Sequence, residues 1–284
     1  MPSLNPTQPT IFKILSVLLL NTMLAGLALA AGKTENLMPN AGYEKGKNNA
    51  PEDWSPPDGL TLFWENGGVK GKCIRMNTDV LRSEWSENLK KPGSITEKTK
   101  KIPQGEKYDS VGGTVGIHCW SGPVPVEMGQ WYLIEADIKG VGSSMPQLFL
   151  RGYNKVKAGT EGEYGIVHFM KGLIPGGGAF SDPALGDDKR NPKAGDYIQT
   201  LRATMFCRMP ADSDKQWYHF VRPIHIPTKA PGWAEVILLC PYAYWPCGDY
   251  FFDNVTFRKI TEEEAKKFKK EQAGVPVKGG GGHD

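Results

Sequence analysis

The chain has 284 residues, a formal net charge of +3 at pH 7 and 23% charged residues, with acids and bases interspersed. No basic stripe of the kind that binds nucleic acid is present in the sequence, which argues against that class of partner. The 34 glycines and 22 prolines are typical of short segments separated by turns.

Residues 1–30 have the features of a secretory signal peptide. Lys13 precedes an almost wholly apolar run from Ile14 to Ala30, and the run ends in the small-x-small pattern Ala28-Leu29-Ala30. An uncleaved membrane anchor is the alternative, but the run is near the short end for crossing a bilayer. We therefore expect cleavage near Ala30, a secreted, periplasmic or cell-envelope location, and no membrane span in the mature chain.

All five cysteines, Cys73, Cys119, Cys207, Cys240 and Cys247, fall in the predicted mature chain. A secreted protein can use cysteines in disulfides, and an odd count leaves at least one outside any bridge within a monomer. Cys240 and Cys247 flank a predicted turn, so a bridge between them is one possibility. The sequence leaves the connectivity open.

The mature chain alternates strand-like segments with loops. Strands are predicted within residues 73–77, 114–120, 130–139, 147–153, 197–208, 217–226, 234–244 and 250–260, the last two as a closing hairpin. Stretches near 81–110 and 154–196 are predicted to be long surface insertions. About eight short strands without βαβ alternation predict an all-β fold, a two-sheet antiparallel sandwich of the jelly-roll type over residues 31–260.

A short helix is predicted directly after the last strand. Thr261 and Glu264 have the spacing of a capping box at the start of a lysine-rich segment. The remainder of residues 261–284 is predicted to be a disordered tail, which ends in the glycine-rich stretch 279–284. This tail is a possible docking element for a protein partner.

The last strand carries an acid where a core residue is expected. Phe251, Val255 and Phe257 share one parity and are predicted to face the core, and Asp253 has the same parity. A carboxylate on a core face is costly unless it is paired, hydrogen-bonded or bound to a cation. Because Glu44 lies in the opening segment of the mature chain, we expect the two ends of the sandwich to meet at a calcium ion.

Four patches in order resemble the carbohydrate-binding modules of families four, nine and twenty-two, which share the galactose-binding-like jelly roll. These patches are Asn36-Leu-x-x-Asn-x-Gly-Tyr-Glu44 and residues 126–140, 217–220 and 250–257. The resemblance implies a structural calcium with Glu44 and Asp253 as side-chain ligands, supplemented by backbone carbonyls near Lys72 and Lys139. Calcium takes roughly six to eight oxygens, so such carbonyls or water are needed.

The resemblance also implies a sugar-binding face of flat aromatic rings and polar side chains. Candidate ligand residues with outward parity, or in an aromatic cluster before the last turn, are Trp120, Arg151, Tyr153, Tyr242, Tyr244 and Trp245. The alternative is that these side chains pack beneath the two insertions.

The sequence therefore favours a secreted, non-catalytic protein whose partner is a polysaccharide or other glycan. The spacing of its acids, histidines and cysteines matches no specific catalytic arrangement, so we do not predict an enzyme. Two alternatives remain open. One is an extracellular structural or protein-interaction domain with the same fold, and the other is a jelly-roll lyase or hydrolase whose catalytic groups lie in the insertions.

Overall fold

The computed structural model describes residues 35–95, 106–163, 167–169, 188–229, 233–268 and 275–276. Within them, antiparallel strands form two large sheets and two short ladders. The predicted signal peptide and the stretch 279–284 lie outside the described residues. No helix in the described part of the chain has both the length and the apolar character needed to cross a membrane.

The strands in chain order are β1 (Gly46–Lys47), β2 (Ala50–Pro51), β3 (Leu62–Asn66), β4 (Lys72–Asn77), β5 (Ile117–His118), β6 (Val124–Pro125), β7 (Trp131–Lys139), β8 (Gln147–Lys155), β9 (Val167–Phe169), β10 (Asp188–Arg190), β11 (Tyr197–Phe206), β12 (Tyr218–His225), β13 (Val236–Ala243), β14 (Asp249–Ile260) and β15 (Val275–Pro276). The helices are α1 (Arg82–Lys90), α2 (Val111–Thr114) and α3 (Glu262–Phe268), with single 3-10 turns at Lys107–Asp109 and Glu161–Glu163.

The two large sheets pack as a sandwich, as predicted. One has five strands in the order β11-β8-β13-β5, with β6 also paired to β13. The other has six strands in the order β15-β12-β7-β14-β4-β3. Every pairing is antiparallel. The insertion predicted near 81–110 contains α1 and is followed by α2, while β9 and β10 form a separate ladder inside the second insertion.

The core lies between the two large sheets. Ile134 and Ile138 of β7 point inward from the six-stranded sheet, and Leu148 and Leu150 of β8 point inward from the five-stranded sheet. Alternate residues of each strand therefore face the core, as the period-two pattern predicts. The intervening residues form the two outer faces of the sandwich.

The predicted closing hairpin is wrong. β13 pairs with β5, β6 and β8, whereas β14 pairs with β4 and β7, so the two strands belong to different sheets. Residues 244–248 carry the chain from one sheet to the other. Sequence neighbours need not be sheet neighbours in a jelly roll, because its connections pass between the two layers.

The predicted inward set of β14 is wrong at Phe251 and at Asp253, which is buried but is in register with the outward-facing Asp137. Phe252 is buried in the core, and Phe251 points to the outer face of the sheet, where it is half-buried. A β-bulge between Asp253 and Thr256 shifts the register by one residue, so that Val255 returns to the core. A bulge inserts one extra residue into a strand and reverses its alternation, which a strict period of two cannot show.

No disulfide joins the five cysteines, all of which lie within the described residues and are buried. The bridge that the sequence allowed between Cys240 and Cys247 is therefore not formed. Cys240 is central in β13, on the outer side of the five-stranded sheet, and Cys247 follows the turn into the other sheet.

Helix α3 begins with the predicted capping box. The backbone N–H of Thr261 donates to Glu264 Oε2 at 2.8 Å, and the backbone N–H of Glu264 donates to Thr261 Oγ1 at 3.2 Å. Ala265 then packs against Leu133 and Ile260 on the outer face of the six-stranded sheet. The helix therefore covers one end of that face.

Candidate functional site

The outer face of the five-stranded sheet holds most of the predicted ligand residues. Residues paired in register across antiparallel strands point to the same side. Arg151 of β8 lies between Arg202 of β11 and Leu238 of β13. We call this surface the aromatic face. It consists of the side chains of His118, Trp120, Gln147, Phe149, Arg151, Tyr153, Gln199, Arg202, Thr204, Phe206, Val236, Leu238, Cys240 and Tyr242.

A row of rings crosses this face. The rings of Phe149 and Tyr242 are stacked with centroids 4.7 Å apart, and those of Tyr242 and Tyr244 are stacked at 5.6 Å. His118 joins the row at 4.7 Å from Tyr242. The four side chains are half-buried, so their rings are held in place by packing yet remain partly exposed.

One half of the aromatic face is closed. Trp120 and Tyr153 are only 3% and 0% exposed, and they pack with Leu238 and Cys240 in a small cluster outside the main core. Their rings are therefore buried among residues of neighbouring strands and are not available for direct contact with a ligand.

The other half is open. Phe206 at the end of β11 is 51% exposed. Trp245, in the turn after β13, is half-buried, and the ammonium group of Lys107 lies 5.7 Å from its ring centroid. The structure thus brings Arg151, Tyr242 and Tyr244 together on or beside the open half.

Three ring-bearing members of the face were missed from the sequence: His118, Phe149 and Phe206. All three lie within predicted strands. His118 and Phe149 alternate with the core residues Ile117 and Leu148, so strand parity alone points them outward. The alternation of these strands could therefore have identified both residues from the sequence.

Arg151 occupies the boundary between the two halves. The residue is 8% exposed, and its Nη1 donates hydrogen bonds to the backbone oxygens of Leu150 at 3.1 Å and Ala203 at 3.0 Å. Its guanidinium carbon lies 4.5 Å from the centroid of the Phe149 ring. Burial, together with the neighbouring charge of Arg202, lowers the pKa of Arg151 from its ordinary value.

The two ends of the fold meet, as the sequence predicts. Asn36 forms a β-bridge with Arg258 of β14, and the backbone N–H of Leu37 donates to the Phe257 oxygen at 2.7 Å. The N-terminal segment therefore pairs with the last strand. This pairing brings residues near Glu44 and Asp253 to the same end of the sandwich.

Backbone amides of the turn at residues 67–72 bind both acids. Asp253 is 0% exposed, and its Oδ2 accepts hydrogen bonds from the N–H groups of Val69 at 2.8 Å and Lys70 at 3.4 Å. Glu44, which is exposed, accepts from the N–H of Lys72 at 3.2 Å. These amides supply positive partners, yet burial still raises the pKa of Asp253 to about 6.

Glycines let oxygen atoms converge on this turn. A Cβ at Gly68 would lie 2.6 Å from Asp253 Oδ2 and closer still to the Lys72 carbonyl oxygen, and a Cβ at Gly71 would overlap the Glu44 carboxylate. Carboxylate and carbonyl oxygens are the ligands that calcium prefers, so the donor chemistry fits this ion. Among the described residues no three His, Cys, Asp or Glu side chains form a metal-binding group, so such a site depends on carbonyls.

The outer face of the six-stranded sheet carries a different arrangement, here called the ionic network: Glu135, Asp137, His219, Asn254 and Arg258. His219 Nδ1 lies 2.7 Å from Asp137 Oδ1, and its Nε2 lies 3.5 Å from Glu135 Oε1. Arg258 Nε donates to Glu135 Oε2 at 3.1 Å, and Asn254 Nδ2 donates to Asp137 Oδ2 at 2.7 Å.

Hydrogen bonds within the network shift the pKa values of His219 and Glu135. The hydrogen bond to Asp137, and then the one to Glu135, raise the pKa of His219 to about 9 although burial opposes the shift. Burial also opposes the shift of Glu135, but hydrogen bonds from His219 and Arg258 hold the pKa of that carboxyl below its ordinary value. At neutral pH the network therefore contains balanced cations and anions.

Neither a protein-family model nor a curated protein matches the chain. Among solved structures, a family 16 carbohydrate-binding module is 12% identical, with 78% of this chain and 99% of that chain covered and a TM-score of 0.37. A structure described as "CBM4 structure and function" is also 12% identical, with 78% and 99% covered and a TM-score of 0.33.

The active domain of a bacteriophage CBA120 tailspike protein is 9% identical, with 79% of this chain covered and a TM-score of 0.38. The matched part spans 21% of that protein. Because the TM-scores of these three structures are below 0.5, the sandwich assignment rests on the strand order and the core described above.

Proposed function

We propose that this protein is a non-catalytic carbohydrate-binding protein and that its ligand lies across the open half of the aromatic face. The observation that carries the proposal is the stacked row of Phe149, Tyr242 and Tyr244. The planes of the two successive pairs are inclined by only 27° and 17°. Rings stacked on one another form a rigid apolar ridge with partly exposed edges, against which the apolar faces of sugar rings can pack, and partly exposed aromatic rings are strong contributors to binding energy.

Other features of the same face support the proposal. Gln147 is half-buried beside Tyr242 in the register, where its amide can bond to sugar hydroxyls. The buried pair Trp120 and Tyr153 would act as a rigid floor rather than as ligand contacts. The predicted signal peptide agrees with a secreted protein that meets polysaccharide outside the cell.

Affinity electrophoresis against a panel of soluble glycans tests the proposal. We expect at least one glycan to retard the wild-type protein. Replacement Phe149→Ala should weaken that binding about tenfold, because loss of a stacking ring at a binding surface costs about 1–2 kcal/mol.

Phe63→Ala is the matched control. Phe63 is also a half-buried strand residue with an arginine over its ring, since the guanidinium carbon of Arg75 lies 3.9 Å from the ring centroid. It lies on the six-stranded sheet, so its loss should leave glycan binding unchanged. Equal loss of binding in Phe63→Ala and Phe149→Ala, or no retardation by any glycan, contradicts the proposal.

We further propose that Glu44, Asp253 and the Lys72 carbonyl hold a structural calcium ion. When bound, the ion would supply the positive charge that the buried Asp253 carboxylate lacks. Asp253 anchors the turn at residues 67–72 to the last strand, and Glu44 anchors the N-terminal segment to the same turn.

A chelator should lower the melting temperature of the wild-type protein. An ion present at about one hundred times its dissociation constant stabilises by about 2.7 kcal/mol, which corresponds to roughly 5 °C or more for a domain of this size. Asp253→Ala should melt at one temperature with and without chelator. Asp249→Ala, at the exposed start of the same strand, should keep the wild-type response. If chelator leaves the wild-type melting curve unchanged, the calcium proposal is wrong.

A further inference from the structure

Two arginines lie side by side on the aromatic face. Arg151 of β8 and Arg202 of β11 are direct partners in the antiparallel register, so their side chains leave the sheet on the same side. Arg151 is 8% exposed, whereas Arg202 is exposed. Among the described residues neither arginine forms an ion pair with a carboxylate.

The partners of Arg151 are all neutral. Both of its hydrogen bonds leave from Nη1 and end on backbone carbonyl oxygens, and its guanidinium also packs against the Phe149 ring. A buried cation without an anion is unfavourable, and a second cation beside it adds repulsion. The arrangement therefore leaves an electrostatic cost that an incoming anion would relieve.

The rest of the aromatic face adds no acid. None of the residues that define the face is Asp or Glu. At the end of β8, Lys155 is accompanied by an acid, because its backbone N–H donates to Glu235 Oε2 at 3.3 Å, so among the described residues the unpaired cations of the face are Arg151 and Arg202. The face is therefore positive, although the chain as a whole has a net charge of only +3.

Two strand arginines on the other sheet are paired with acids. Arg75 of β4 lies 3.0 Å from both Glu65 and Asp249, and Arg258 of β14 lies 3.1 Å from Glu135. A third arginine of this sheet, Arg222 of β12, forms no ion pair with a carboxylate among the described residues. The fold does supply a carboxylate to Arg75 and to Arg258. Arg151 and Arg202 differ from them in having none.

We propose that the carbohydrate recognised on the aromatic face is an acidic polysaccharide. Arg151 and Arg202 bind the carboxylate or sulfate group of one sugar while the partly exposed rings of the aromatic face contact the neighbouring sugars. Guanidinium groups present paired N–H donors that match the two oxygens of such anions. This inference rests on the function proposed above and specifies the class of its ligand.

Polygalacturonate and its methyl ester provide a first probe, because they share one backbone and differ in charge. Isothermal titration should show binding of the acid form at least about tenfold tighter than binding of the ester, as expected when charge-assisted hydrogen bonds are lost. Added salt should weaken binding of the acid form. A sulfated galactan and its desulfated form make a parallel pair, and tighter binding of the charged form in either pair supports the inference and identifies the anion.

Arg202→Gln is the decisive variant, because Arg202 is exposed and its replacement leaves the packing intact. We expect this variant to lose about tenfold in affinity for the charged polymer. Arg82→Gln replaces an exposed arginine of α1 and should bind like the wild type. Arg151→Met removes the buried charge with an unbranched side chain, and its melting curve verifies that the variant is folded before its lost affinity is interpreted.

The outcomes separate the two proposals. Equal affinity for charged and neutral polymers, or equal behaviour of Arg202→Gln and Arg82→Gln, overturns the acidic class and leaves carbohydrate binding in place. Failure of every glycan, charged or neutral, to bind overturns both.

Discussion

The outer faces of the two sheets carry similar side chains but give their arginines different hydrogen-bond partners. On each face an arginine lies over a phenylalanine, Arg75 over Phe63 on one and Arg151 over Phe149 on the other. Arg75 also reaches two carboxylates, whereas Arg151 reaches only carbonyl oxygens. In the first arrangement the charge of the arginine is balanced by carboxylates, and in the second no carboxylate of the described residues balances it.

The same contrast extends over both faces. The ionic network of the six-stranded sheet joins each charged group to a group of opposite sign, and helix α3 covers the adjacent apolar patch. The aromatic face instead combines stacked rings with cations in register. Substitutions on the first face should therefore change stability, and substitutions on the second should change binding.

Among substitutions on the two outer faces, the largest expected effect on stability follows Asp137→Ala. Asp137 is buried and accepts hydrogen bonds from Asn254 and from the His219 ring. Its removal leaves His219 with Glu135 as the remaining anion, a loss partly offset because Asp253 is relieved of a neighbouring negative charge. We expect the free energy of unfolding to fall by about 2 kcal/mol, measured by urea denaturation.

The control for this variant is Asp214→Ala. Asp214 is exposed, and its replacement should change stability by less than about 0.5 kcal/mol. Glycan affinity should stay at the wild-type value in both variants. If Asp137→Ala were as stable as Asp214→Ala, the ionic network would not stabilise the fold as argued here.

The local periodicity of the sequence was sufficient to predict most of the fold and part of the candidate site. The pattern of residues 130–139 predicted β7 with its inward face, and the parity of residues 147–153 placed Arg151 and Tyr153 outward. These predictions succeeded because the side-chain direction in a regular strand depends on the strand alone. The capping box of α3 succeeded for the same reason, since its bonds join residues three apart.

Features that depend on distant residues were not predictable in this way. The bulge at Asn254 exists where the N–H of Val255 turns from the ladder to the carbonyl oxygen of Ala41, in the N-terminal segment. The burial of Trp120 and Tyr153 depends on packing with Leu238 and Cys240 of β13, which are distant in sequence. An outward parity therefore identified their face of the sheet but not their exposure.

The pH dependence of the free energy of unfolding also tests the ionic network, with a smaller expected effect. His219 has its pKa raised to about 9 by Asp137 and Glu135, whereas an unfolded histidine titrates near about 6.5. The folded state therefore holds an extra proton between these values. The stabilisation is complete below about pH 6.5 and is lost as the pH rises through about 9.

Because the His219 side chain is 37% exposed, solvent screening reduces this contribution to about 1 kcal/mol. Urea denaturation between about pH 6 and pH 10 measures it. His219→Gln should abolish this component, while His225→Gln, an exposed position on the same strand, should retain it. Parallel stability curves for the wild type and His219→Gln would show that the paired imidazolium contributes nothing.

The smallest expected effect is that of Thr261→Ala at the start of α3. Loss of the hydrogen bond from the Glu264 N–H should lower the free energy of unfolding by about 0.5 kcal/mol, since exposed caps lie at the low end of the known range. Thr261→Ser keeps the acceptor oxygen and should match the wild type. The helix packs on Leu133 of the six-stranded sheet, so glycan affinity on the opposite sheet should not change. A fall in affinity that accompanies the loss of the cap would mean that the two faces are coupled through the core.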